Sequence, residues 1–159
     1  MSDDSHFGSS LALVDGDIVF MDTLIAGKNG PESARTLKPV TGRDNLLQAL
    51  ELRVLTPPGS DLFNTAYGLD ITEAFTLPGN IRMVKELLKL SLVRTLATDP
   101  RVRDIRDVIF EDDPAYRARH PQVMEDMVRA DRRARFWHVD VVIETIDGQT
   151  ASLSLNIGV

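Results

Sequence analysis

Strict alternation near the end of the chain constrains the fold more than any other feature. Trp137, Val139, Val141 and Ile143 alternate with His138, Asp140, Val142 and Glu144. Beyond Asp147-Gly148, Ala151, Leu153, Leu155 and Ile157 alternate with Ser152, Ser154 and Asn156. A period of two places each set on one face of a strand, so these residues predict a hairpin with one apolar face. Parity then selects its loop. A two-residue Asp147-Gly148 loop sets Ile143 opposite Ser152, apolar against polar. A three-residue loop, Ile146-Asp147-Gly148, sets Val141 opposite Leu153 and Val139 opposite Leu155. It also puts Gly148 where such loops need a left-handed residue.

Upstream, the pattern turns helical. Leu46, Leu47, Leu50 and Val54 follow Thr41 and Asp44, a variant capping box, and Pro57-Pro58-Gly59 ends the run. A second helix starts at Asn80, a good N-cap, and carries Ile81, Val84, Leu87, Leu88, Val93 and Leu96 as its stripe. It stops near Thr98-Asp99, because Pro100 disfavours helical geometry at the residue before it. Arg101 to Phe110 reads as a strand. Residues 112–135 read as a helical insert, with Val123, Met124, Met127 and Val128 as a short stripe and Pro121 in its first turn. Near the start, Asp15-Gly16 predicts a tight turn pairing Leu13 with Ile18 and Leu11 with Phe20. Residues 1–10 read as a flexible tail, 26–40 as a long surface loop, and Ser60 to Asn80 as irregular. The order is that of an α+β domain: a small antiparallel or mixed sheet, two main helices, an N-terminal hairpin, a helical insert and a C-terminal β-hairpin. The length of 159 residues suits a single domain.

The residue inventory narrows the chemistry. There is no cysteine, hence no disulfide framework, thiolate metal site or cysteine nucleophile. No serine lies in a Gly-x-Ser-x-Gly elbow, and no glycine spacing matches a phosphate loop. The three histidines, His6, His120 and His138, do not form a zinc-type pair. Glu73, Glu86, Asp99 and Glu111 are carboxylates of the type glycoside hydrolysis needs, but no spacing selects two of them. The expectation is therefore no catalytic residue, no metal and no cofactor. The net charge of −6 argues against nucleic acid as a partner. The start lacks a signal-peptide pattern and no apolar run is long enough to span a bilayer, so direct membrane insertion is not expected. From Arg101 to Arg135 every basic residue is arginine (101, 103, 106, 117, 119, 129, 132, 133 and 135). Salt bridges to the interleaved acids are the plain reading, and a protein interface is the sharper one. The final strand, if at a sheet edge, offers backbone groups to another strand.

Several stretches together resemble a known family. They are Leu13-Val14-Asp15-Gly16-Asp17, Gly42-Arg43-Asp44-Asn45-Leu46-Leu47-Gln48 running into Leu55-Thr56-Pro57-Pro58-Gly59, and Tyr67-Gly68-Leu69-Asp70. The long helix ending in Asp99-Pro100-Arg101 and the hairpin at Asp147-Gly148 complete the order. In this the chain is similar to the small baseplate wedge proteins of contractile phage tails, often labelled lysozyme-like, with relatives in type VI secretion and extracellular contractile injection particles. The family carries Glu-Pro-Arg where this chain has Asp99-Pro100-Arg101. The resemblance implies a structural part with no enzymatic role, at the baseplate of a phage tail or injection particle assembled in the bacterial cytoplasm. It implies six copies per baseplate, contacting other wedge subunits, sheath protein arms and tube or hub proteins. Asp99, Pro100 and Arg101 are the implied wedge contacts. The terminal hairpin, with Val139, Val141, Ile143, Leu153, Leu155 and Ile157, is the implied site of strand addition by the first sheath ring. The alternative readings are a peptidoglycan hydrolase of the tail, suggested by the family's label, and a soluble adaptor using the same fold.

Overall fold

In the computed structural model, which describes residues 4–27, 30–76, 80–122, 128 and 136–158, short antiparallel sheets and helices make an α+β arrangement. Where the length suggests one domain, the chain divides into two compact units, Met1–Ala49 and Leu50–Val159.

The first unit is built from local pairings. A 3-10 turn at Asp4–Phe7 leads into β1 (Ser9–Leu11). The tight turn at Asp15-Gly16 joins β2 (Leu13–Val14) to β3 (Asp17–Ile18), with φ of 51° and 85° at its two residues. That is the mirror-image turn an Asp-Gly pair favours, and Leu13 pairs with Ile18 as expected. The pairing of Leu11 with Phe20 does not occur. Phe20 begins β4 (Phe20–Gly27), which pairs with β5 (Gly30–Leu37), so Phe20 faces Leu37. Leu11 instead faces Pro39 in β6 (Pro39–Thr41). Residues 26–40 are not a long loop: Gly27, Gly30 and Pro31 sit only at the turn end of an eight-pair hairpin. Residues 6–10 are not a tail, because Phe7 is 1% exposed and its carbonyl accepts from Asn45 Nδ2 at 2.7 Å. Residues 1–3 lie outside the described residues. The unit closes with the start of α1 (Gly42–Leu55), on which Leu46, Leu50 and Val54 are buried at helical spacing.

The second unit holds the larger core. After α2 (Thr72–Thr76), α3 (Ile81–Leu96) starts where expected, with Asn80 Oδ1 accepting from Met83 N at 3.0 Å. Its buried stripe is Leu88, Leu92 and Leu96, so Leu92 joins the core while Ile81 stays exposed. The run Leu87-Leu88-Lys89-Leu90-Ser91-Leu92-Val93 offers more than one apolar stripe, and packing chooses among them. Next come β7 (Val102–Phe110), α4 (Pro114–Arg119), β8 (Phe136–Thr145) and β9 (Thr150–Gly158). Within the 112–135 insert, α4 opens on Pro114, capped by Asp113; Val128 is helical, and the rest of the helix expected after Pro121 lies outside the described residues. Val123, Met124 and Met127 of the expected stripe fall outside the described residues.

The strand order is β7-β8-β9, all antiparallel. Val141 faces Leu153, Val139 faces Leu155, and Gly148 has φ of 78°, so the three-residue loop is as derived. Among the described residues no helix is long and apolar enough to cross a membrane.

Candidate functional site

The two edges of the three-stranded sheet differ in construction. The outer strand β7 slips register twice against β8, between Val102 and Asp104 and between Ile105 and Asp107. Each slip leaves one extra residue, Arg103 and Arg106, as a β-bulge does. Both arginines are exposed and reach Glu144: Arg103 Nη1 lies 3.3 Å from Oε1, and Arg106 pairs with Oε2 and also with Asp104 at 3.4 Å. Bulges and charges are the usual devices that stop a further strand from adding to an edge. The opposite edge has neither. Nine consecutive residues of β8 and β9, from Phe136↔Gly158 to Glu144↔Thr150, pair without a slip. The non-core row of β9 is Thr150, Ser152, Ser154, Asn156 and Gly158, without a charge or a proline.

The register decides which backbone groups are free. Thr145 N donates to Gln149 O at 2.9 Å, and hydrogen-bonded pairs alternate along an antiparallel ladder. The odd-numbered residues Ala151, Leu153, Leu155 and Ile157 therefore spend their N–H and C=O groups on β8. The even-numbered residues from Thr150 to Gly158 aim theirs outward. On the far side of β8 the same alternation holds, since Glu111 N donates to His138 O at 3.0 Å. Val139, Val141, Ile143, Leu153, Leu155 and Ile157 are all buried, at most 5% exposed. They are the platform of the edge, and its hydrogen-bonding groups belong to their neighbours. Beside the end of β9, a cavity of about 280 Å³ opens between Asn156–Gly158 and Leu55–Pro58.

The Asp99-Pro100-Arg101 corner is turned inward. Asp99 is 3% exposed and accepts three bonds from one residue: Arg101 Nε at 2.9 Å, Arg101 Nη2 at 2.8 Å and the Arg101 backbone N–H at 3.0 Å. Arg53 Nη2 adds charge at 3.8 Å. Burial pushes the Asp99 pKa up, but the Arg101 bonds and the two guanidinium charges outweigh it and hold the carboxyl below its ordinary range. Acid and arginine do not reach outward together. Pro100 is the exposed member of the three.

A second polar cluster joins α4 to the sheet. Asp140, 1% exposed on β8, accepts from Ser154 Oγ at 2.7 Å and lies 2.8 Å from His120 Nε2 and 3.9 Å from Arg119 Nη1. Aspartate, histidine and serine recur in hydrolases, but there the serine bonds the imidazole. Here Ser154 donates to the carboxylate, so its oxygen is not activated. Glu111 is equally buried and accepts the His138 backbone N–H at 2.8 Å. Burial, with Asp140 and Glu111 nearby, pushes the Tyr116 pKa up. Of the other carboxylates weighed for hydrolysis, Glu73 and Glu86 are exposed on α2 and α3. No group of three His, Asp or Glu side chains among the described residues is arranged to hold a metal ion.

No protein-family model matches the chain, and no curated protein sequence matches it. The sequence misses the Asp140 cluster because its members come from α4, β8 and β9. Only the pairing of Asp140 with Ser154 carries a signal, and that follows from the hairpin register already derived from parity.

Proposed function

We propose that this chain is a structural baseplate component of a contractile injection machine. It joins the baseplate wedge to the first sheath ring and starts sheath assembly by accepting a strand on β9. The observation that carries the reading is the contrast between the two sheet edges. β7 is bulged and charged, while β9 offers an unbroken, uncharged row of outward N–H and C=O groups. An extended segment adding there satisfies those groups, and an apolar side chain of that segment fits the cavity beside Gly158. The partners of this reading are the sheath arms at β9 and other wedge subunits near the Pro100 corner, in a sixfold baseplate. The resemblance described above supports the assignment of those partners.

Ser152→Pro tests the reading. Ser152 aims its N–H outward, so proline removes one outward donor and no bond to β8. The variant is expected to fold, to join baseplates, and to leave them without attached sheath. Ser152→Thr keeps the donor and is expected to retain sheath. Normal sheaths on a Ser152→Pro baseplate would remove strand addition from the account.

A further inference from the structure

The loop between α1 and α2 presents two large apolar side chains to water. Leu62 is 87% exposed and Phe63 101% exposed, the most exposed large apolar side chains among the described residues. Their backbone is tied down nevertheless. Asp61 Oδ1 accepts from Phe63 N at 2.9 Å and from Asn64 N at 3.3 Å. Ser60 Oγ donates to Pro57 O at 2.7 Å, and Tyr67 N donates to Asn64 O at 2.9 Å. The two ends of the loop meet where Leu69 N donates to Thr56 O at 3.1 Å. They meet so closely that a Cβ on Gly68 would lie 2.5 Å from that same oxygen. Arg53 stacks over the Tyr67 ring at 4.8 Å and fixes the stem further.

A loop held in one shape that exposes Leu and Phe contributes little to its own fold. It does lower the ordering cost of binding, because its conformation is set beforehand. Aromatic side chains entering a desolvated pocket are the usual anchors of protein contacts. The surroundings indicate what the pocket looks like. From Val54 through Ile81 the sequence contains Asp61, Asp70 and Glu73 and no lysine or arginine, and the Arg53 guanidinium at the stem is taken up by the Tyr67 ring and Asp99. Such a stretch is repelled by an anionic lipid surface, whose ligands carry basic residues beside their apolar ones. It complements an apolar pocket rimmed by lysine or arginine.

We propose that Leu62 and Phe63 are the anchor of a protein contact separate from the β9 edge, seated in an apolar pocket with a basic rim on a different protein. The test replaces Phe63 in the full chain with benzoylphenylalanine, in the native host, followed by irradiation and mapping of the adduct. The expected result is one protein partner, cross-linked at a peptide that carries apolar residues and lysine or arginine. The yield is expected to fall at least about tenfold when Leu62→Asp is added, and to fall as salt is raised. With that partner purified, Phe63→Ala is expected to weaken binding about 30-fold or more and Phe63→Trp much less. Thermal stability should hardly change in Phe63→Ala, because the side chain is exposed. No adduct, adducts scattered over many proteins, adducts with lipid, with the same chain or with a second copy, or yields insensitive to salt overturn the proposal. Phe63→Ala leaves the β9 edge intact, so its outcome is separate from that of Ser152→Pro.

Discussion

Asp99→Ala removes the acceptor around which the corner after α3 is built. The carboxylate is 3% exposed and takes both side-chain donors of the Arg101 fork and the Arg101 backbone N–H. A charge-assisted fork of this kind contributes roughly 2 kcal/mol net, and a backbone donor left unmade adds about 1 kcal/mol. The expected cost is therefore about 3 kcal/mol, the lower end for breaking one side of a buried pair. The lower end applies because the Arg101 side chain is 22% exposed and can rehydrate. For a chain of this size that is a drop in Tm of about 6–12 °C. Arg101→Ala in the same background closes a double-mutant cycle, with an expected coupling of about 2 kcal/mol. The pH dependence has a definite sign. The Asp99 pKa is lowered on folding from its ordinary 3.8, so its contribution is fully present above that value and is lost as pH falls through the folded value. The gap in denaturation midpoint between wild type and Asp99→Ala should thus be constant near neutrality and shrink below about pH 4. A loss under about 0.5 kcal/mol, or additivity with Arg101→Ala, would refute the inward reading of this corner and return the pair to an outward contact.

Two further outcomes test the frame around the proposed sites. Gly68→Ala meets the Thr56 carbonyl at 2.5 Å and has φ of 115°, so denaturant melts should show a loss of about 3 kcal/mol and cross-linking from position 63 should weaken with it. Asp140→Ala strands Ser154 and His120, with an expected loss of about 2 kcal/mol and faster amide exchange in Pro114–Arg119.

How far the fold was legible depended on whether burial imposed a period. In the β8–β9 hairpin one face is core, so a slip of one residue would expose Val139, Val141 and Leu153, and parity alone selected the loop. Along β7 the alternation blurs. Val102, Ile105 and Val108 stand three apart because the slips at Arg103 and Arg106 each reset the alternation, and a bulge leaves no periodic trace. The β4–β5 hairpin was missed for the opposite reason. Phe20, Met21, Leu24, Ile25 and Leu37 are all at least 40% exposed, so no buried face orders the pattern, and the glycines at its turn read as loop. Phe63 is a related case: nothing in the sequence distinguishes a fully exposed phenylalanine from Phe7, which is buried.

The contrast between the two sheet edges is hidden from the sequence for a different reason. Its parts were present in the sequence: Arg103, Asp104, Arg106 and Asp107 on one strand, and Thr150, Ser152, Ser154, Asn156 and Gly158 on another. What was missing was the strand order, which makes both strands edges and so gives the contrast a meaning. Thr150 and Ser152 are exposed, and a lysine at either would have cost the fold little, whereas Ser154 bonds Asp140, Asn156 bonds His138 and Gly158 lies against the Phe136 ring. Yet the strand that carries no charge is the one whose register never slips. If solubility alone had shaped this sheet, both edges would be expected to carry blocking features. Protection confined to β7 is what the proposed strand addition at β9 would require. Ser152→Lys therefore asks the same question as Ser152→Pro by charge instead of by donor removal, and the two should fail together.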